Sequence, residues 1–224
     1  MLKAVFATAT LAPCALAQPS AAQDPRFEIF SGAELSVTSR FLYSGVIVAP
    51  FGGLDTPGLR LRAYGGAGDY KLDDGTWVAK QAGHALIGWA HWWGNHGLTL
   101  YAGISGEHHD AAPTQSKHGT ELGASVLAEG WWRVAPDTIL SASAGYTDVY
   151  ENVSGRIGVT HALNERWGLI GEVRGGDDID GAYWAAGAGV TAHYRGYDAA
   201  LVAGLSGDED DSGFSLRAQF STRR

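Results

Sequence analysis

Cysteine is nearly absent from this chain. One residue, Cys14, stands in 224, and methionine occurs once, as Met1. A disulfide framework is excluded, as is any thiol-based site beyond Cys14. After residue 22 no apolar run is long enough to cross a bilayer as a helix, which excludes a helical membrane protein. Charge is sparse and tilted negative, 24 acids against 16 Lys and Arg, for a formal net charge of −8. An acidic chain of this kind argues against nucleic acid as a partner.

The first residues read as a leader. Lys3 forms a short basic start, Ala4 to Leu16 is apolar and small, and Ala15-Leu16-Ala17 and Ser20-Ala21-Ala22 both offer a small-x-small cleavage pattern. Residues 1–22 are therefore expected to be a signal peptide and residues 23–224 a single domain. Pro13 stands where lipoprotein processing before Cys14 prefers a smaller residue. Removing the leader removes Cys14, and the loss of Lys3 takes the net charge from −8 to −9.

What is abundant is glycine, 32 of 224, about twice the usual ~7%. Eight Trp, nine Tyr and seven Phe accompany it. The recurring pattern has period two. In "HGLTLYAGIS" Leu98, Leu100, Ala102 and Ile104 alternate with Thr99, Tyr101, Gly103 and Ser105. "GTELGASVLAEG", "GFSLRAQFS" and "GLRLRAYGG" alternate in the same way. About twelve such segments tile the chain: 27–37, 40–49, 58–71, 78–93, 96–107, 117–133, 137–147, 152–162, 167–175, 182–194, 197–207 and 212–221. No linker or domain boundary interrupts them.

Both a soluble sandwich and a membrane barrel accommodate this alternation. The charges decide between them. Arg60, Arg62, Glu121, Glu129, Arg156, Glu172, Arg174 and Arg217 lie mid-strand, opposite the aliphatic face. A charge facing lipid costs several kcal/mol, whereas one facing a barrel lumen can pair or meet water. The connections separate too. Acids crowd the odd ones, among them Asp73, Asp74, Glu107, Asp110, Asp148, Glu151, Asp177, Asp178, Asp180 and Asp208 to Asp211. In an up-and-down barrel the odd connections share one rim, and an even strand number returns both termini to the periplasmic one. Trp92, Trp93, Trp131, Trp132, Trp167, Tyr194 and Tyr197 beside the even turns, with Trp77 and Tyr183 by odd loops, suit two aromatic belts. Glycine and alanine at Gly65, Gly66, Gly68, Ala185, Ala186, Gly187 and Gly189 suit a narrow interior. The expected fold is an all-β, antiparallel up-and-down transmembrane β-barrel of about twelve strands.

"LRLRAYGGAGDYKLDDG", "LYAGISGEHHDAAPTQSKHGTELGASVLAEGWW" and "SASAGYTDVYENVSGRIGV" together resemble the BcsS family of alphaproteobacterial cellulose biosynthesis proteins, over roughly residues 40–220. The resemblance implies an outer-membrane barrel linked to cellulose export or surface cellulose, without established catalytic residues. His108, Asp110 and Pro113 fall at family-like positions of an outer loop. Where many outer-membrane barrels end on an aromatic residue, Phe220 is followed here by four more residues.

"GEHHDAAPTQSKHG" holds three histidines, but His108 and His109 are neighbours and diverge on an extended chain. No metal site is expected there, and the loop reads as solvated. "GGDDIDG" and "GDEDDSG" lack the spacing of a calcium loop. No Gly-x-Ser-x-Gly elbow is present, and His84 with Ser105 is the one pair to consider for a lipid-modifying barrel enzyme. The leading expectation is a non-catalytic accessory barrel, scaffold or narrow channel, with no cofactor. Its expected partners are outer-membrane lipid and lipopolysaccharide, with cellulose or components of the cellulose synthase complex. A general small porin-like channel and a barrel enzyme are the other two readings.

Overall fold

A computed structural model describes residues 25–72, 74–208 and 211–224. The leader assigned to residues 1–22 therefore lies outside the described residues, as do Asp73, Glu209 and Asp210. Twelve strands run in order: β1 Phe27–Ser36, β2 Ser39–Val48, β3 Gly58–Lys71, β4 Trp77–Trp93, β5 His96–His109, β6 Gly119–Ala135, β7 Thr138–Thr147, β8 Asn152–Ala162, β9 Trp167–Asp178, β10 Gly181–Tyr194, β11 Tyr197–Asp208 and β12 Ser212–Arg223. Each pairs antiparallel with its neighbours in sequence, and β1 closes on β12. The closed sheet leaves no edge, which is what a spanning sheet requires. The shortest strands have 10 residues, enough to cross the hydrocarbon when tilted. Among the described residues no helix is long and apolar enough to cross a membrane.

The alternation read from the sequence sorts the side chains. Leu122 is 79% exposed and Ile104 68%, with Leu100, Val126, Ile157, Val173 and Phe214 beside them on the outer wall. A soluble protein does not leave a continuous aliphatic surface of this extent in water. The opposite parity points inward. The start of β1 and the end of β12 meet at one rim, where the Phe27 amide donates to the Arg224 carbonyl at 2.9 Å. The even connections share that terminal rim, and the odd ones form the looped rim.

The interior is packed. Phe30, Phe41, Tyr43, Ile47, Ala49 and Leu54 form one buried cluster, and Tyr70, Leu72, Val78 and Tyr183 form another towards the looped rim. Glycines make room for rings. A Cβ on Gly66 would stand 2.5 Å from the Phe41 ring, and one on Gly88 would stand 2.4 Å from the Tyr101 ring. Only a residue without a side chain lets a cross-strand aromatic lie flat against the wall at these places.

Three expectations are corrected here. Trp92 and Trp131 do not join the outer belt. They face inward at the terminal rim with ring centroids 4.8 Å apart, and Tyr183 is buried inside the other end. The even connection of residues 49–57 is a long one that folds into the terminal mouth. Leu54 is buried there, its amide donating to the Pro25 carbonyl at 2.7 Å. Gly65 lines the outer wall rather than the interior, since it alternates with the inward Tyr64 and Gly66. β5 runs to His109, so that the connection to β6 begins only at Asp110.

Candidate functional site in the barrel interior

Ionic clusters occupy the barrel axis, and several of them join strands that are not neighbours. At the terminal rim Arg60 is 2% exposed and binds backbone rather than an acid. It donates to the carbonyls of Leu54 at 3.0 Å, Gly53 at 3.1 Å and Thr56, which clamps the 49–57 loop in the mouth. Arg223 pairs with Glu28 at 3.0 Å and with Asp55 of that loop at 3.1 Å. The residues after Phe220 thus continue β12 and place a cation inside.

Deeper in, Arg62 donates from Nη1 to both oxygens of Glu129 at 3.0 Å, spanning from β3 to β6. Its guanidinium lies 5.2 Å from the Phe30 ring centroid and 5.9 Å from that of Tyr101. At mid-barrel Glu172 receives two arginines. Arg156 Nη2 stands 2.7 Å from Oε2, and Arg217 donates to Oε1 at 2.8 Å. Arg174 reaches Glu34 on β1. Towards the looped rim Lys80 pairs with Glu107 at 3.1 Å, and Glu107 also meets His109 Nε2 at 3.1 Å. The other nitrogen of His109 lies 3.0 Å from the Tyr70 hydroxyl. Glu121 faces inward beside the β7–β8 turn, where the Tyr150 amide donates to it at 3.4 Å.

Of the charges singled out in sequence, Arg62 with Glu129, and Arg156 and Arg217 with Glu172, are brought together. Arg60, Arg174 and Glu121 find other partners. The acids Glu28, Glu34 and Glu107 and the cations Lys80 and Arg223 were not anticipated. On β1 Glu28 and Glu34 alternate with Phe30, so a large ring on the same face hid the charged signal. The eight anticipated charges comprise five cations and three anions. Among these thirteen groups seven are cations and six are anions, so the surplus of two positive charges counted over the first eight shrinks to one. Glu107 is not a rim acid, because its position on β5 turns it inward.

The histidine loop is corrected in part. His108 is exposed and bonds Thr120, and Asp110 and Pro113 are exposed. His109 is 1% exposed and belongs to the interior. Among the described residues no group of three or more His, Cys, Asp or Glu could hold a metal ion.

Two cavities remain within the packing. One of about 80 Å³ near the terminal rim is lined by Glu28, Arg60, Trp92, Tyr101, Glu129 and Trp131. The other, about 90 Å³, lies on the looped side and is lined by Phe41, Arg62, Tyr64, Lys80, Glu107 and Asn152. Arg62 borders the second and its partner Glu129 borders the first, so this ion pair stands between them. His84 and Ser105 are direct cross-strand partners and both line the second cavity. His84 Nε2 accepts from Arg62 Nε at 3.1 Å, and Ser105 bonds Thr147. Both therefore face the interior, away from lipid.

In fold the chain is similar to an outer-membrane channel from Pseudomonas putida F1, with TM-score 0.59 at 9% identity over 96% of this chain and 100% of that one. It is similar to the KdgM porin, TM-score 0.56 at 6% identity over 87% and 98%. It is also similar to outer membrane phospholipase A from Escherichia coli, TM-score 0.50 at 6% identity over 89% and 96%. At such identities the likeness is one of fold. No curated protein matches in sequence. The family model for the cellulose biosynthesis protein BcsS matches residues 29–224, from early β1 to the C-terminal residue, and the chain belongs to that family.

Proposed function

We propose that this barrel is a non-catalytic accessory of cellulose biosynthesis that sits in the outer membrane as a closed scaffold. The observation that carries this is the filled interior. Charges compensate one another across the axis, rings pack against glycines, the 49–57 loop occupies one mouth, and the two cavities described above are small, about 80 and 90 Å³. An open diffusion pore needs a continuous wet lumen, and the ion pairs that reach across the axis argue against one. His84 and Ser105 belong to the same interior network, with Arg62 and Thr147 as partners, so neither is presented to a lipid ester. The acidic looped rim would face outward, towards lipopolysaccharide. Cellulose or the synthase complex is the proposed client, and nucleic acid is not.

In planar bilayers the folded protein should give no stable conductance steps. Long-lived open currents would overturn the closed-scaffold reading in favour of a porin-like channel. The link to cellulose is tested in a producing host. Deleting the gene should leave cellulose synthesis by isolated membranes intact while changing the amount of cellulose held at the cell surface. Unchanged surface cellulose would refute the accessory role.

A further inference from the structure

We propose that residues 110–118 form a latched lid over the cavity on the looped side, with Lys117 as the latch. The proposal goes beyond the closed-scaffold reading, because it gives the interior a second, open state at one end. Lys117 lies in the connection between β5 and β6, yet its side chain is fully buried. Its Nζ pairs with Asp178 at 2.7 Å and Asp180 at 3.0 Å, at the turn between β9 and β10. The adjacent Ser116 also donates to Asp180. The contact reaches over β7 and β8, so the loop is fastened to a distant part of the rim. The turn between β7 and β8 completes the roof. Its Tyr150 carbonyl accepts from the Ile179 amide at 3.3 Å, and its hydroxyl donates to the His118 carbonyl at 3.4 Å.

Two features mark this roof as a switch rather than ordinary packing. Tyr150 and Glu151 are consecutive non-glycine residues in the left-handed region, with φ of 52° and 51°. Such backbone persists only while its surroundings hold it. The lid's Lys117 stands 6.0 Å from the Tyr150 ring centroid, and His109 at the end of β5 packs edge-on to that ring at 5.1 Å. The fastening is ionic and desolvated, whereas well-packed apolar side chains commonly close such a contact equally well. A lysine and two aspartates released together regain hydration at an aqueous rim. Under the roof His109 contacts Glu107, Glu107 contacts Lys80, and both of these line the cavity. Opening the lid therefore leads to that cavity, while the Arg62–Glu129 pair still separates it from the terminal side.

The test is cysteine accessibility in the full chain carrying Cys14→Ser. Ser154→Cys places a thiol in the lidded cavity, and Ser141→Cys places one in the cavity at the terminal rim. A small methanethiosulfonate reagent should modify the thiol at 154 slowly. Adding Lys117→Met, or Asp178→Asn with Asp180→Asn, should raise that rate by about tenfold or more, because one partner of a buried pair is gone. Lys117→Arg should keep the slow rate, and the thiol at 141 should be slow throughout. Folding is checked by heat-modifiable migration. Equal rates with and without the latch would overturn the proposal. So would equal acceleration at 141, which would mean general loosening, or failure of every latch variant to fold, since a latch is separable from the fold it closes.

Discussion

Glu172→Ala should destabilise the barrel by about 3–5 kcal/mol, the cost commonly met when one partner of a buried ion pair is removed. Glu172 is buried with both its arginines, Arg156 and Arg217, so its loss removes the carboxylate that the two cations share. Neither can turn to lipid, and the surrounding interior is filled. Arg174→Ala should act in the same direction and less strongly, because it leaves only Glu34 without its partner and Arg174 keeps some solvent contact. Urea titration of the folded protein in lipid, read by tryptophan fluorescence, measures both. A loss of only about 0–1 kcal/mol for Glu172→Ala would indicate a wet lumen in which ions are screened, and the closed interior would be refuted.

The difference between these two variants also shows where sequence reasoning stopped. That Arg174 and Glu172 share a face follows from the period of two, and strand parity needs no tertiary information. Their partners depend on barrel closure. Glu34 meets Arg174 only because β1 returns to β12, which brings opposite walls of a narrow interior within reach. No local pattern encodes that distance. Strand number and most strand boundaries were legible for the converse reason, because turns and alternation are local. The ends of β5 and β9 were not. There the strands run on past the apolar band into residues that look like loop, such as Glu107-His108-His109 and Gly176-Asp177-Asp178. The inward Trp92 and Trp131 were misassigned because a tryptophan pair beside a turn reads as an interfacial belt. In a run of two adjacent rings, one must face in and the other out. The lid was illegible altogether. Lys117 sits in a polar loop whose composition suggests solvation, and only the folded rim brings it to Asp178 and Asp180.

Ile157→Arg should cost about 2–4 kcal/mol in a lipid bilayer, because it puts a cation at mid-strand on the outer wall. Ile157 is the middle residue of β8, 59% exposed, and Val159 and Val153 flank it on the same face. In a soluble sandwich the same exposure would make the change nearly neutral, within about ±0.5 kcal/mol. The size of the effect therefore tests what solvent the aliphatic face meets. Val134→Arg is the matched control. Val134 is 61% exposed but lies near the end of β6 at the terminal rim, where a charge reaches the interface and should cost only about 0–1 kcal/mol. Depth separates the two positions, since exposure is nearly the same. Both are measured by urea titration in liposomes, with insertion checked by heat-modifiable migration. A large cost at 157 and a small one at 134 is the depth profile of a spanning wall. Equal small costs at both, in a protein that stays monomeric in water without detergent, would mean that the wall never contacts lipid. The membrane reading of the alternation would then be lost, although the closed barrel would stand.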